Sequence, residues 1–354
     1  MIVRSGQATL LPIQYLRGVA AMMVVYHHAG SQIPAFEPFL PGSFGSLGVD
    51  IFFVISGFIM YITTAGSVIT PGEFMMRRII RVAPLYWLLT CLMCLLWLIF
   101  PGFFKTLSVT TSTFFQSLFF IPHYSRAFPD SIFPLLVPGW TLNYEMFFYA
   151  LFALALFLPK NYLLPAVAAP MLGLVFLGAT FSPIDSAMLS TYTSPLLLEF
   201  TSGVLLGKIW ANQQKGFSTV VGVFLFFSGW FFLAYNSLHP AAKYLHILGA
   251  TLIVAGSLNV DFLRWKNDLL RIVGDASYSI YLSHIFTLGV CRVAWVRLFD
   301  TDSNGFNAIV FAVAVMVICI VVGVVVYRYV ENPLTRYLTR RYSVQLNQSG
   351  VRSV

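Results

Sequence analysis

The sequence predicts an all-α integral membrane protein of about ten transmembrane helices with both termini cytoplasmic. Three observations carry that expectation. Only 10% of the 354 residues are charged, against the roughly 25% that a solvated surface uses. Mean hydropathy is +0.81. The apolar residues fall in runs of about 18–22, long enough to cross a bilayer core of about 30 Å as helices. A β-barrel would instead alternate over segments of about ten residues. Aromatic residues make up 16% of the chain, with 34 Phe, as lipid-facing helices and interfacial belts require.

Taken in order, the expected spans lie near 12–33, 47–66, 79–100, 138–158, 163–181, 192–210, 217–235, 242–260, 275–298 and 306–328. The first contains Arg17, His27 and His28, so it is a retained helix rather than a cleaved signal peptide. Between the third and fourth spans, residues 101–137 form a long outer loop whose apolar piece, 107–121, is too short to cross and is expected to be re-entrant or interfacial. This arrangement puts 16 basic residues inside and 5 outside, as cytoplasmic loops demand. It also accounts for the +8 net charge without a nucleic-acid patch. One transmembrane domain is expected over 1–345, with a short cytoplasmic tail at 346–354. Cys91, Cys94, Cys291 and Cys319 all fall in apolar stretches. They are expected to be buried packing residues, with no partner pair to make a metal site.

A charge in mid-bilayer costs about 2.5–3.5 kcal/mol on insertion scales, so each such residue invites a functional question. Arg17 and His28 are eleven positions apart, which is three turns plus about 20°, and therefore share a helix face about 16 Å apart. His27 is turned about 80° away. Arg77, Arg78 and Arg81 stand at the cytoplasmic entry of the third span, at spacings that put them on one face. They are either a positive-inside anchor or an anion clamp of guanidinium forks. Asp50 and Glu145 are expected at a depth comparable to His28, and Glu199 lies in the sixth span. All three should face the bundle interior, because an acid facing lipid is costly. His284 shares a face with Ser277 and Tyr281. His123, His239 and His246 receive no role.

Together these segments resemble the acyltransferase-3 family of bacterial integral-membrane acyltransferases. Arg17 and His28 match its basic residue followed, after ten positions, by histidine. Asp50 and the run Phe52, Phe53, Ser56, Gly57, Phe58 match its FFxxSGF segment after an acid. Arg78, Arg81, Pro84 and Tyr86 match R-x-x-R followed by P-x-Y. Trp140, Thr141, Leu142 and Glu145 match W-[ST]-L-x-x-E. Tyr278, Ser279, Tyr281, Leu282 and His284 match YSxYLxH, and Glu331 with Pro333 matches the closing E-x-P. The wording is nearest to stand-alone members that acetylate exopolysaccharide or lipopolysaccharide sugars. The porcupine-type family would need an internal Asn/His pairing that is not found.

The resemblance implies a multi-pass protein of the bacterial inner membrane that moves an acyl group, commonly acetyl from acetyl-CoA, to a glycan hydroxyl. Acetyl-CoA is then a co-substrate, and no permanently bound cofactor or metal is expected. Arg17, Arg78 and Arg81 would hold the CoA phosphates. His28 would be the general base, with Glu145 or Asp50 orienting its ring and stabilising the imidazolium. Trp140, Tyr281, His284 and Glu199 are expected substrate contacts. Spacing alone leaves direct transfer and an acyl-histidine intermediate both open. The rival classes are a small-solute transporter, which would also carry intramembrane His and acids, and a membrane scaffold, which needs no aligned base.

Overall fold

The structure is a computed structural model and describes residues 10–32, 44–103, 107–213, 217–239, 244–299 and 305–348. Arg4, Lys105, Lys215, Lys243 and Arg352 of the charge argument lie outside the described residues. Every regular element among the described residues is helical. In chain order these are α1 (Leu11–Gly30), α2 (Gly48–Ala65), α3 (Pro71–Ile99), α4 (Thr111–Leu118), α5 (Trp140–Ala155), α6 (Leu163–Thr180) and α7 (Ala187–Tyr192). There follow α8 (Leu197–Asn212), α9 (Thr219–Leu238), α10 (Leu245–Ser257), α11 (Asp268–Asp275), α12 (Ser277–Leu298), α13 (Gly305–Val326) and α14 (Asn332–Gln348).

Each of the ten expected segments holds a helix, and six helices among the described residues are long and apolar enough to cross a membrane. They are α2, α3, α6, α9, α12 and the stretch through α13 and α14. The other four are shorter or more polar. α5 and α8 have 16 residues and α10 has 13, while α1 carries Gln14, Arg17, His27 and His28. Helices that bury polar side chains against neighbours need less apolar surface of their own, whereas α6 and α9 turn most of theirs outward.

Within 107–121 the chain forms α4, eight residues or about 12 Å long, too short to span. Thr110 caps its first turn by accepting from the Thr113 backbone N–H. Two α3 side chains hold its far end: the Tyr86 hydroxyl donates to the Ser117 carbonyl (3.1 Å) and the Trp87 indole to that of Leu118 (2.7 Å).

Two expectations need correction. The helix that holds the last span does not stop near 328. A π-helical turn, Tyr327–Glu331, carries α13 directly into α14, so the tail expected from 346 begins inside a helix. Pro333 lacks an N–H and cannot make the i→i−4 bond, and proline is tolerated in a first turn, which is where α14 places it. Not all cysteines are buried either. All four are free, but Cys91 is exposed on the outer side of α3, one helical turn from buried Cys94.

The core is organised around α1 and α2. α2 packs on α5 and α8 through Phe53, Phe148 and Phe200, and on α1 and α10 through Leu16, Ile51, Val54 and Ile253. The C-terminal half of α1 packs on α12 and α13 through Val25, Ile280 and Phe311. α2 and α8 are in backbone contact. A Cβ on Gly57 would stand 2.1 Å from the Phe200 carbonyl oxygen, and one on Gly203 2.1 Å from that of Val54. Small residues at such crossings replace the hydrophobic drive that lipid removes.

Candidate active site

α1, α2, α3, α5, α11, α12 and the π-helical turn enclose a cavity of about 330 Å³. Arg17, Arg78 and Arg81 all line it, together with Ser56, Glu145, Tyr149, Asp275, Tyr278 and Tyr281. Positions far apart in sequence therefore converge, but the three guanidinium groups are not equivalent. Arg81 forms an ion pair with Glu331 at 3.0 Å. Glu331 is only 1% exposed, is delivered inward by the π-helical turn, and also accepts from the Ser279 hydroxyl at 2.6 Å. Arg17 donates to the neutral Gln14 amide oxygen (3.1 Å). Arg78 donates to the Thr63 hydroxyl (3.2 Å) and lies over the rings of Phe74 and Tyr149, 5.2 and 5.9 Å from their centroids. Among the described residues neither Arg17 nor Arg78 is ion-paired with a carboxylate. Their charge remains for an anionic ligand.

Arg77, expected on the same face, is exposed and pairs with Glu73 one turn earlier. Arg77 stands about 100° round the helix from Arg78, on the exposed side of α3.

Glu145 belongs to this cavity rather than to His28. It accepts from the Ser56 hydroxyl at 2.9 Å and from the Tyr149 hydroxyl one turn further along α5. Ser56 lies eight residues into α2 from Gly48, about 12 Å along the helix, whereas His27 packs beside Gly45, just before its first turn. The expected common depth of Glu145 and His28 is thus not what the chain adopts. Asp50 departs as well. It precedes Ser56 by six positions, about 240° around the helix, and so faces α8 and α10 with Glu199 and His246. Among the described residues neither acid is hydrogen-bonded to His28.

The neighbour of His28 is His284. Their rings stack at 5.2 Å between centroids, 29° apart in plane, while His27 meets His28 edge-on. His284 is fully buried, and its Nδ1 lies 2.5 Å from the Tyr281 carbonyl oxygen. A carbonyl can only accept, so Nδ1 carries the proton and a neutral ring presents Nε2 as a lone pair. That Nε2 is buried without a hydrogen-bond partner.

The histidine pair does not line the cavity. Phe52 and Tyr281, edge-to-face at 5.8 Å, form the cavity wall, and Tyr281 is the residue whose carbonyl holds His284. The Tyr281 hydroxyl is fixed by donating to the Pro138 carbonyl (3.0 Å) and lies 3.1 Å from the Thr141 hydroxyl. Trp140 is not on the cavity and packs against Tyr144, and Glu199 is on the far side of α2. Sequence reasoning missed Gln14, Tyr149 and Asp275. Gln14 and Tyr149 sit three and four positions from Arg17 and Glu145 on the same helices, a spacing that could have found them.

A family model described as an acyltransferase domain matches residues 12–328. The chain is 37% identical over 301 residues to the exopolysaccharide production protein ExoZ of Rhizobium meliloti (strain 1021), covering 82% of this chain and 90% of that one. It is 27% identical to nodulation protein 10 of Rhizobium leguminosarum bv. viciae, covering 79% and 84%. It is 24% identical to the acyltransferase MdmB of Streptomyces mycarofaciens, covering 85% and 83%. No solved structure matches. The helical bundle, the match across nearly its whole length and these relatives agree that the chain belongs to the acyltransferase-3 family.

Proposed function

We propose that this protein transfers an acetyl group from acetyl-CoA to a hydroxyl of a cell-surface or exported glycan at the bacterial inner membrane. One observation carries the reading: a cavity with two uncommitted arginines lies on one side of the Phe52–Tyr281 wall and a stacked histidine pair on the other. Acetyl-CoA has a polyanionic head, a long neutral arm and a thioester at its tip. Arg17 and Arg78 bind phosphate oxygens, and Arg81 is held in place by Glu331. The arm passes Phe52 and Tyr281 and brings the thioester to the histidines.

There, His28 accepts the proton of the sugar hydroxyl as its oxygen attacks the thioester carbonyl. The C–S bond breaks, and the imidazolium returns the proton to the departing CoA thiolate. Proton and acyl group are thus both accounted for, and general-base help of this kind contributes about 10²–10⁴-fold. His284, stacked on His28, constrains its ring plane, but does not supply the negative charge first expected of Glu145 or Asp50. Glu145 orients Ser56 and Tyr149 in the donor cavity instead. The name of the relative ExoZ supports a polysaccharide acceptor, and that of MdmB supports acyl transfer.

The donor half is tested by titrating purified protein with acetyl-CoA in a calorimeter. Arg17→Ala and Arg78→Ala are expected to weaken binding at least about tenfold, the loss of one charge-assisted pair. Arg78→Lys should recover part of it, since a point charge lacks the fork. Unchanged affinity in both alanine variants would remove the cavity from donor binding. Solute uptake by membranes that never consume acetyl-CoA would favour a transporter.

A further inference from the structure

Asp50, Glu199 and His246 come together on the side of α2 away from the cavity, one from each of α2, α8 and α10. Asp50 is 6% exposed and Glu199 0%. Two carboxylates in an apolar interior carry a large desolvation cost unless something compensates them. Among the described residues no lysine or arginine is ion-paired with either. Neither Glu199 oxygen makes a well-aligned hydrogen bond, although the Asp50 carboxyl lies within interaction range and His246 Nε2 stands 3.3 Å from Oε1. That nitrogen and oxygen are close without the alignment of a hydrogen bond. Two ligands that point their lone pairs at a shared ion are related in this way.

We propose that Asp50, Glu199 and His246 hold a divalent transition-metal cation of the zinc type. Their ligating atoms all lie within 4.8 Å of one another. Bonds of about 2.1 Å to a tetrahedral ion set ligand atoms about 3.4 Å apart. The His246–Glu199 separation already meets that spacing, and shifts of roughly an ångström bring in Asp50. Two carboxylates and a neutral imidazole sum to a charge that one divalent ion cancels. The imidazole favours zinc over the all-oxygen shells of magnesium and calcium, and the two carboxylates also suit manganese. Three protein ligands leave a tetrahedral ion one open position.

The frame around the ligands is stiff. Glu199 stands one turn from Gly203, whose Cα lies against the Val54 backbone of α2, so the carboxylates cannot move apart without unpacking α2 from α8. His246 is 15% exposed and offers the route of entry. The ion ties α10 to the α2–α8 pair. The sequence expectation of no metal rested on the cysteines, and these ligands show no motif because each comes from a different helix.

The test uses full-length protein purified without a polyhistidine tag, stripped with a chelator, re-equilibrated with ZnCl₂ or MnCl₂, desalted and assayed for metal. Wild type and the off-site variant Asp130→Asn are expected to retain about one ion per chain, and Glu199→Gln and His246→Ala fewer than about 0.2. The thermal midpoint should rise with metal in wild type and not in Glu199→Gln. If neither variant folds, titration of stripped wild type against a competing chromophoric chelator decides alone. A wild type that binds no zinc or manganese, with an unmoved midpoint, overturns the proposal and leaves the carboxylates sharing a proton. Equal retention by Glu199→Gln overturns it too, as adventitious metal.

Discussion

Arg81 and Glu331 sit in different sequence motifs, yet in the fold each is the other's partner, with Ser279 completing the set. Their pairing predicts a split between stability and donor binding. Arg81→Ala leaves a buried carboxylate with a single hydroxyl donor, which is expected to cost about 1–3 kcal/mol, and the partial exposure of the arginine lowers that figure. Adding Glu331→Gln should restore most of the loss, since the second change removes the stranded charge. Thermal midpoints of the single and double variants measure this, and a double variant no more stable than Arg81→Ala would contradict it. The eleven-residue spacing of Arg17 and His28 was legible because it lies on one helix. What lies across from each residue was not. Glu145 answers to Ser56 and Tyr149, His28 to His284, and Asp50 to Glu199 and His246. Periodicity gives the phase of a side chain on its own helix but not which neighbour occupies that direction.

At the scale of elements, α2 separates two polar assemblies by its phase alone. Ser56 faces the arginine cavity, and Asp50 faces α8 and α10. That division depends on the glycine contacts with α8. Gly203→Ala places a methyl 2.1 Å from the Val54 carbonyl, so the variant should lose monodisperse protein on size-exclusion chromatography in detergent. Gly173→Ala in α6, with nothing within 4 Å of the new Cβ, is expected to be neutral or to stabilise by up to about 1 kcal/mol through helix propensity. Equal behaviour of the two would mean that α2 and α8 are not in backbone contact. Helix positions were readable from apolar runs, because lipid enforces length and composition. The π-helical turn was not, since no run of residues marks the place where Glu331 turns inward.

For the whole molecule, the proposed transfer from a cytoplasmic donor to an outer-face glycan requires a defined orientation. Reporter fusions after residues 160, 266 and 340 are expected to read cytoplasm, and those near 115 and 185 the opposite side. A cytoplasmic signal at 185 with an external one at 340 would invert the bundle and put the arginines out of reach of the donor. Charge bias is what predicts this orientation, because basic residues mark the loops that stay inside. The pairing of the arginine-lined cavity with a histidine pair across the Phe52–Tyr281 wall is the feature on which the proposed mechanism rests. Transfer of labelled acetyl from acetyl-CoA to cell-surface polysaccharide, by membranes carrying wild type, His28→Ala or His27→Ala, tests it most directly. His28→Ala should lose about 10²–10⁴-fold in turnover while binding acetyl-CoA as wild type does, and His27→Ala should retain most activity. Near-wild-type transfer by His28→Ala would contradict the assignment.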